Sequence, residues 1–396
     1  MPRSAVPLFL AGAFLPSLLI SWTAAWFCRQ YATRWALVDR PGPHKLQTSP
    51  VPLGGGVAIW FGIVIPIAGG HLLALLATWQ WLTIPDFVQL HLAGILARLP
   101  GLWLLLGGAT LAMVLGLLDD YRGIDWRVRL ACEIALGVGT ISLAEWRLSL
   151  FIGIPLIGAA ISVVWIVGLI NSFNMLDNMD GLSAGVAWIA AAALIIAAFQ
   201  IPNPQSQQPQ FFIAGFWLIF AGSLAGFLWH NRCPASLYMG DAGAYLIGYL
   251  LAVISIAATY ASYDSGLWHA VLTPLCVLAV PVYDTTTVAW IRIRGGRSPF
   301  LGDRNHFSHR LVDLGLSPKQ AVRTIYLLST ACGLAGVLLH RVDALGAVML
   351  AGVIACVLTT IGILEATARR VIIAHHLMAE SDKEVEAISE PRMPGP

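Results

Sequence analysis

Long apolar runs separated by short polar breaks set the pattern of this 396-residue chain. A helix that crosses a bilayer needs roughly 17 to 25 mostly apolar residues. Windows of that kind predict membrane helices over 5–27, 53–76, 102–118, 128–145, 150–170, 182–199, 211–229, 243–262, 267–290, 321–339 and 343–364. The third, fourth and sixth are short or weakly bounded, so ten spans is the alternative to eleven. The expected fold class is all-α, a polytopic membrane protein with 10–11 transmembrane helices. Only Arg3 precedes the first run, and Pro7 and Pro16 interrupt it, so it reads as a retained helix and not as a cleavable signal.

Composition narrows the class further. Hydrophobic residues make up 58% of the chain and charged residues only 11%, where an ordinary soluble domain carries about 25% charged residues. The 15 Trp suit two aromatic belts at the membrane surfaces. The net charge of +2 is spread in segregated groups, which gives no basic domain for nucleic acid. The 6 Cys are scattered without a CxxC spacing and read as small apolar residues.

Charge placement predicts the orientation. With an external N-terminus, the segments 28–52, 119–127, 171–181, 230–242, 291–320 and 365–396 and their junctions hold 19 of the 23 Lys and Arg. Only Arg3, Arg98, Arg147 and Arg341 remain outside. The N-terminus is therefore expected outside and the C-terminus in the cytoplasm. Residues 1–379 read as one membrane-embedded domain, and 380–396, polar and Pro-containing, as a disordered cytoplasmic tail.

The polar breaks on the cytoplasmic side carry the candidate chemistry. Asn171-Ser-Phe-Asn-Met-Leu-Asp-Asn-Met-Asp-Gly-Leu182 puts Asn171, Asn174, Asp177, Asn178 and Asp180 between two strongly apolar runs. Polar groups so placed are costly unless they face water or bind something. They recur every third position, which drifts about 60° per step on a 3.6-residue helix. A straight helix would scatter them, so the chain is expected either to break near Asp177 or to wrap around a ligand, with Gly181 as the hinge.

Asp119-Asp120 ends the third run, and adjacent carboxylates repel unless a cation or proton relieves them. They also oppose the dipole of the helix they end. Tyr238-Met-Gly-Asp-Ala-Gly243 places Asp241 before the eighth run, as either an N-cap or a hard-cation ligand. A basic loop with Arg292, Arg294, Arg297, Asp303, Arg304, His306, His309 and Arg310 can neutralise phosphate oxygens. Asp284 lies upstream of it, inside the ninth run. Asp39 through Lys45, followed by Pro50 through Gly56, forms a Pro-stiffened loop and a Gly-rich helix start that could hold a nucleotide. His71, His91, His230, His269 and His340 have no partner pattern and read as interface or loop residues. Acids, Asn and Arg/His on one face of a membrane protein suggest metal-assisted phosphoryl transfer involving a lipid.

In this order, the motifs resemble the polyprenyl-phosphate N-acetylhexosamine-1-phosphate transferase family. The likeness runs from about Asp39 to Leu311. Asp119-Asp120 is similar to the family's aspartate pair, 171–182 to its NxxNxxDGxDGL signature, and 238–243 to its metal-binding element. Pro281 to Asp284 and Arg297 to Leu311 resemble the sugar-side loop of the undecaprenyl-phosphate N-acetylglucosamine type. The match is closer there than to phospho-N-acetylmuramoyl-pentapeptide transferase. Three positions depart: Asn178 replaces the signature's first Gly, Ser308 stands where the family pattern places His, and His44 precedes Lys45 where many members carry Arg.

The resemblance implies transfer of N-acetylhexosamine 1-phosphate from a UDP-sugar to a polyprenyl phosphate at the cytoplasmic face of the inner membrane, as the first membrane step of an envelope polysaccharide. It implies Mg²⁺, with Mn²⁺ as the alternative, held by Asn174 and Asp241. Asp119 and Asp120 would position or deprotonate the lipid phosphate. His306 and His309, with Arg304 and Arg310, would hold sugar and diphosphate, and Lys45, Asp180 and Tyr238 would form the uridine pocket. Asn171 and Asp177 complete the substrate side. The partners are the lipid, the UDP-sugar and the membrane, without nucleic acid, and a homodimer is left open. Two other classes compete. Met239-Gly-Asp241 and Tyr283-Asp284 resemble, in reversed order, the aspartate pair of intramembrane proteases; a secondary transporter would instead need midplane charges and an internal repeat.

Overall fold

The computed structural model describes residues 5–35, 37–39, 50–89, 92–144, 154–202, 209–258, 260, 267–299 and 305–365. Lys45, Arg304 and the expected tail at 380–396 lie outside these residues. The helices are α1 (Val6–Tyr31), α2 (Gly55–Thr78), the short α3 (Asp86–Gln89), α4 (Leu92–Arg122), α5 (Trp126–Ala144), α6 (Pro155–Leu176) and α7 (Leu182–Gln200). They continue as α8 (Phe211–Asn231), α9 (Gly240–Ala257), α10 (Thr273–Val277), α11 (Ala279–Arg294), α12 (Phe307–Asp313), α13 (Pro318–Leu338) and α14 (Ala344–Glu365). One antiparallel ribbon interrupts the helices: β1 (Val38–Asp39) pairs with β2 (Val51–Pro52), Val38 opposite Pro52.

Among the described residues, nine helices are long and apolar enough to cross a membrane, or ten when one bent pair counts as a single span. The fourth expected span is present as α5, but Arg127, Arg129 and Glu133 in its first half keep it out of that set. The span expected at 267–290 is not continuous, because Trp268–Val277 and Ala279–Arg294 meet at 69°. Pro281 accounts for the break. It has no N–H to offer the Val277 carbonyl, and its ring crowds that oxygen.

The core centres on α9, of which 83% is buried, against 6% of the apolar stretch of α14. In lipid, helices associate through close backbone approach and polar contacts, because lipid tails are as apolar as the side chains. Both devices converge on α9. Tyr249 shares a hydrogen bond with Thr140 of α5 at 2.9 Å, and Ser255 accepts one from Trp165 of α6 at 3.0 Å. Such bonds are worth about 1 kcal/mol each. A Cβ at Gly116 of α4 would collide with the Asp241 carbonyl, and one at Gly56 of α2 with the Gly243 backbone. Small residues at these two points let α2 and α4 lie directly on the start of α9.

Candidate active site

Asp119 and Asp120 end α4 side by side, yet their surroundings differ. Asp119 is buried and accepts three hydrogen bonds: from the Ile124 N–H (2.7 Å), the Tyr245 hydroxyl (2.7 Å) and Arg129 Nη1 (3.2 Å). Asp120 reaches across to α9 and accepts the N–H groups of Asp241 (2.9 Å) and Ala242 (3.1 Å). The first turn of α9 receives no cap from its own Met239, so Asp120 supplies that cap from another helix. The positive end of the α9 dipole thereby offsets the unfavourable end of α4. Gly240, at φ +67°, is needed for this approach, since a Cβ there would strike the Asp120 carboxylate.

The Asp241 carboxyl faces Asp119 and Asp120. Carboxyl groups that close require a shared proton or a cation.

The segment 171–182 is broken as its spacing predicts. Helix α6 stops at Leu176, and α7 begins at Leu182 with Gly181 in the left-handed conformation at φ +75°. Two ties hold the break. Asn231 Oδ1 accepts the Gly181 N–H at 3.0 Å, and the Tyr326 hydroxyl donates to the Gly181 carbonyl at 2.5 Å. The five polar side chains then separate. Asn171 donates to Glu133 of α5 and to the Val167 carbonyl, so it ties helices together. Asp180 accepts the Ala235 N–H at 2.9 Å. Asn174 makes no side-chain hydrogen bond among the described residues. Burial first, then the negative charges of Asp120, Asp180 and Asp39, push the Asp177 carboxyl up to about 8. Burial and the neighbouring Asp180 likewise raise the Tyr238 hydroxyl.

The expected Gly-rich nucleotide cradle has another use. The Gly55 and Gly56 N–H groups donate to the Tyr238 and Met239 carbonyls at 2.9 and 3.0 Å. The Tyr238 N–H donates to the Pro52 carbonyl at 2.9 Å. These amides are spent on joining the early loop to the 238–243 element, so they do not point at a ligand. What the segment contributes is placement of Asp39 and Tyr238 beside the acids.

The His-bearing segment is held by Asp284, which is 1% exposed. It accepts the Phe307 N–H at 2.6 Å and lies 3.3 Å from His306 Nδ1, fixing the start of α12. The His306 and His309 rings stand 6.1 Å apart. Arg310 is buried and engaged: it pairs with Glu365 at 2.9 Å, donates to Thr287 at 3.1 Å and to the Asn305 carbonyl. In this arrangement its guanidinium fastens α12 to α11 and α14. Ser308 donates to Asn178, which joins α12 to the loop after α6.

One end of the bundle therefore gathers Asp119, Asp120, Asp177, Asp180, Asn174, Tyr238 and Asp241, with α12 attached through Asn178. Arg129, Glu133, Tyr245 and Asn231 belong to the same network and were not singled out from sequence as site residues. Arg129 and Glu133 sit four apart inside an apolar run, a pattern that flags a buried ion pair; here they are 4.0 Å apart.

The donors suit a hard divalent cation. Among the described residues, no three His, Cys, Asp or Glu side chains form a ready cage. Magnesium does not require one, since it takes one or two carboxylates and keeps water or phosphate oxygens for the rest. Among the described residues Asn174 is uncommitted, Asp241 faces two other acids, and burial together with the nearby acids raises the Asp177 carboxyl. Both Asp284 oxygens serve the start of α12.

Residues 102–259 match glycosyl transferase family 4. The decaprenyl-phosphate N-acetylglucosaminephosphotransferase of Mycobacterium leprae (strain TN) is 29% identical over 372 residues, covering 89% of each chain. The enzyme of that name from Mycolicibacterium smegmatis is 29% identical over 336 residues, 80% of this chain and 79% of the relative. The undecaprenyl-phosphate alpha-N-acetylglucosaminyl 1-phosphate transferase of Escherichia coli (strain K12) is 26% identical over 339 residues, 79% of each. Asp119, Asp120, the broken 171–182 segment and Asp241 all fall inside the stretch that matches glycosyl transferase family 4.

Proposed function

We propose that this protein transfers N-acetylglucosamine 1-phosphate from UDP-N-acetylglucosamine to a polyprenyl phosphate and releases UMP. The single observation that carries the reading is the gathering of Asp119, Asp120, Asp177 and Asp241 at one end of the bundle, inside the family match. The relatives' names supply the lipid and the sugar.

An oxygen of the lipid phosphate attacks the sugar-bearing phosphorus of the UDP-sugar. The bond from that phosphorus to the bridging oxygen breaks, UMP leaves with that oxygen, and lipid and sugar end joined by a diphosphate. The lipid phosphate has a second pKa near 6 if it behaves as a phosphomonoester, so it is largely ionised at neutral pH. Positioning and charge neutralisation then supply most of the rate, as in other phosphoryl transfers. Asn174 and Asp241 are the donors for Mg²⁺, which when bound would neutralise diphosphate oxygens. Asp119, held by Arg129 and Tyr245, and Asp120, held by α9, shape the wall against which the lipid phosphate is placed. His306 and His309, anchored through Asp284, face the sugar side, with Asp180 and Tyr238 toward the nucleotide. The 19 of 23 basic residues on one side support an external N-terminus and a site facing the cytoplasm.

Purified protein incubated with UDP-N-acetylglucosamine, undecaprenyl phosphate and Mg²⁺ should release UMP and form the lipid-diphosphate sugar. Absence of UMP with every UDP-hexosamine tried would refute the assignment.

A further inference from the structure

We infer that a second cavity, between the ends of α1 and α8, binds the phosphate headgroup of an anionic bilayer phospholipid. The cavity measures about 430 Å³, within the range of small-molecule sites, about 300 to 1,000 Å³. Arg29 from α1, Arg232 after α8 and His230 line it, together with Trp22, Trp26 and Trp229. Among the described residues no acidic side chain lines it and neither arginine has an acidic partner, although Asp180 adjoins the lining residue Cys233.

His230 is the second observation. It is 5% exposed, and its Nε2 is buried with no hydrogen-bond partner. Arg29 stands close enough for its charge to act on the ring. A buried imidazole nitrogen left unsatisfied costs free energy unless a ligand completes it. The ring also hydrogen-bonds the Trp22 backbone; a phosphate anion beside it would favour the protonated ring, accept from Nε2 and be neutralised by the two guanidinium groups.

The surroundings choose the kind of phosphate. Trp22, Trp26 and Trp229 are 39%, 40% and 58% exposed, and Arg232 stacks on Trp229 with 4.4 Å to the ring centre. Exposed indoles beside cations at a helix end mark the headgroup level of a bilayer. Asp119, Asp120 and Asp241 do not line this cavity, so a lipid seated here is not placed for transfer. The occupant is a bilayer component and not the acceptor substrate.

Native mass spectrometry of the detergent-purified protein tests this with phosphatidylglycerol, phosphatidylcholine, polyprenyl phosphate and inorganic phosphate as probes. Phosphatidylglycerol should be retained and phosphatidylcholine lost. Arg29→Gln with Arg232→Gln should weaken retention roughly thirtyfold, from the worth of two basic groups near an anionic surface. Both arginines are exposed, so the double variant should keep its thermal unfolding temperature and its UMP release, which separates this result from failure of the catalytic reading. Equal retention of phosphatidylcholine, or unchanged retention in the double variant, would overturn the inference. So would displacement of phosphatidylglycerol by polyprenyl phosphate or inorganic phosphate.

Discussion

The Ser308 hydroxyl donates a hydrogen bond to the side-chain oxygen of Asn178, 130 positions away in sequence. These are two of the positions at which the chain leaves the family pattern, and they touch. Asn178 also donates to the Met175 carbonyl at 2.7 Å, so it links the last turn of α6 to α12. Its backbone needs no glycine: among the described residues, Gln80 is the only other residue type found at positive φ. Ser308→Ala and Asn178→Ala should each lower stability by about 1 kcal/mol. Their effects should be non-additive, with a coupling of roughly 0.5 kcal/mol or more for groups in direct contact. Thermal unfolding of the two single variants and the double variant checks this; additive losses would show that the contact carries no energy.

Asp120 separates a structural from a chemical contribution. It caps α9 through two amides, and losing a capping side chain costs about 1 to 2 kcal/mol. Asp120→Ala should therefore lower both stability and UMP release. Asp120→Asn keeps one oxygen for an amide, so it should retain most of the stability while losing its charge at the site. If Asp120→Asn turns over normally, the charge of Asp120 is not used in the reaction.

The apolar runs made the helices legible, because span length and charge bias are properties of local sequence. The break at 177–181 was legible too, since a three-residue polar period contradicts a straight helix and Gly181 offers the hinge. The bend at Leu278 was not, because one proline in an apolar run permits a kink without requiring it. Partners across helices were also hidden. Nothing local states that Asp120 caps α9, that Glu133 meets Asn171, or that Gly55 and Gly56 give their amides to Tyr238 and Met239. Those pairings follow from which helices lie side by side, and small residues such as Gly116 decide that only once the partner is known.

Arg129 should act on the reaction through Asp119. It donates to Asp119 at 3.2 Å and approaches Glu133, which holds Asn171. Arg129→Gln should reduce kcat roughly ten- to hundredfold, the worth of one charge-assisted hydrogen bond, with a smaller change in KM for the UDP-sugar. Glu133→Gln preserves an acceptor for Asn171 and should be milder than Glu133→Ala, which leaves the Asn171 amide without it. Steady-state kinetics of the three variants decide the matter, and equal losses in the two Glu133 variants would remove Asn171 from the chain of contacts.

Asp177 predicts a pH dependence with a definite sign. Its carboxyl sits in a desolvated position among Asp120, Asp180 and Asp39 and titrates at about 8, against 3.8 ordinarily. Between those values the folded protein keeps a proton that the unfolded chain has lost, so raising the pH favours unfolding. Stability without divalent cations should be highest near pH 4, fall as the pH approaches 8, and then level off. Asp177→Asn cannot ionise and should flatten that decline. Adding Mg²⁺ to the wild-type protein at pH 7 should release protons as positive charge relieves the acids, and less should be released by the variant. Thermal unfolding across pH and a weakly buffered proton-release titration read the two effects separately; a wild-type profile as flat as that of Asp177→Asn would show that this carboxyl is already ionised in the folded protein.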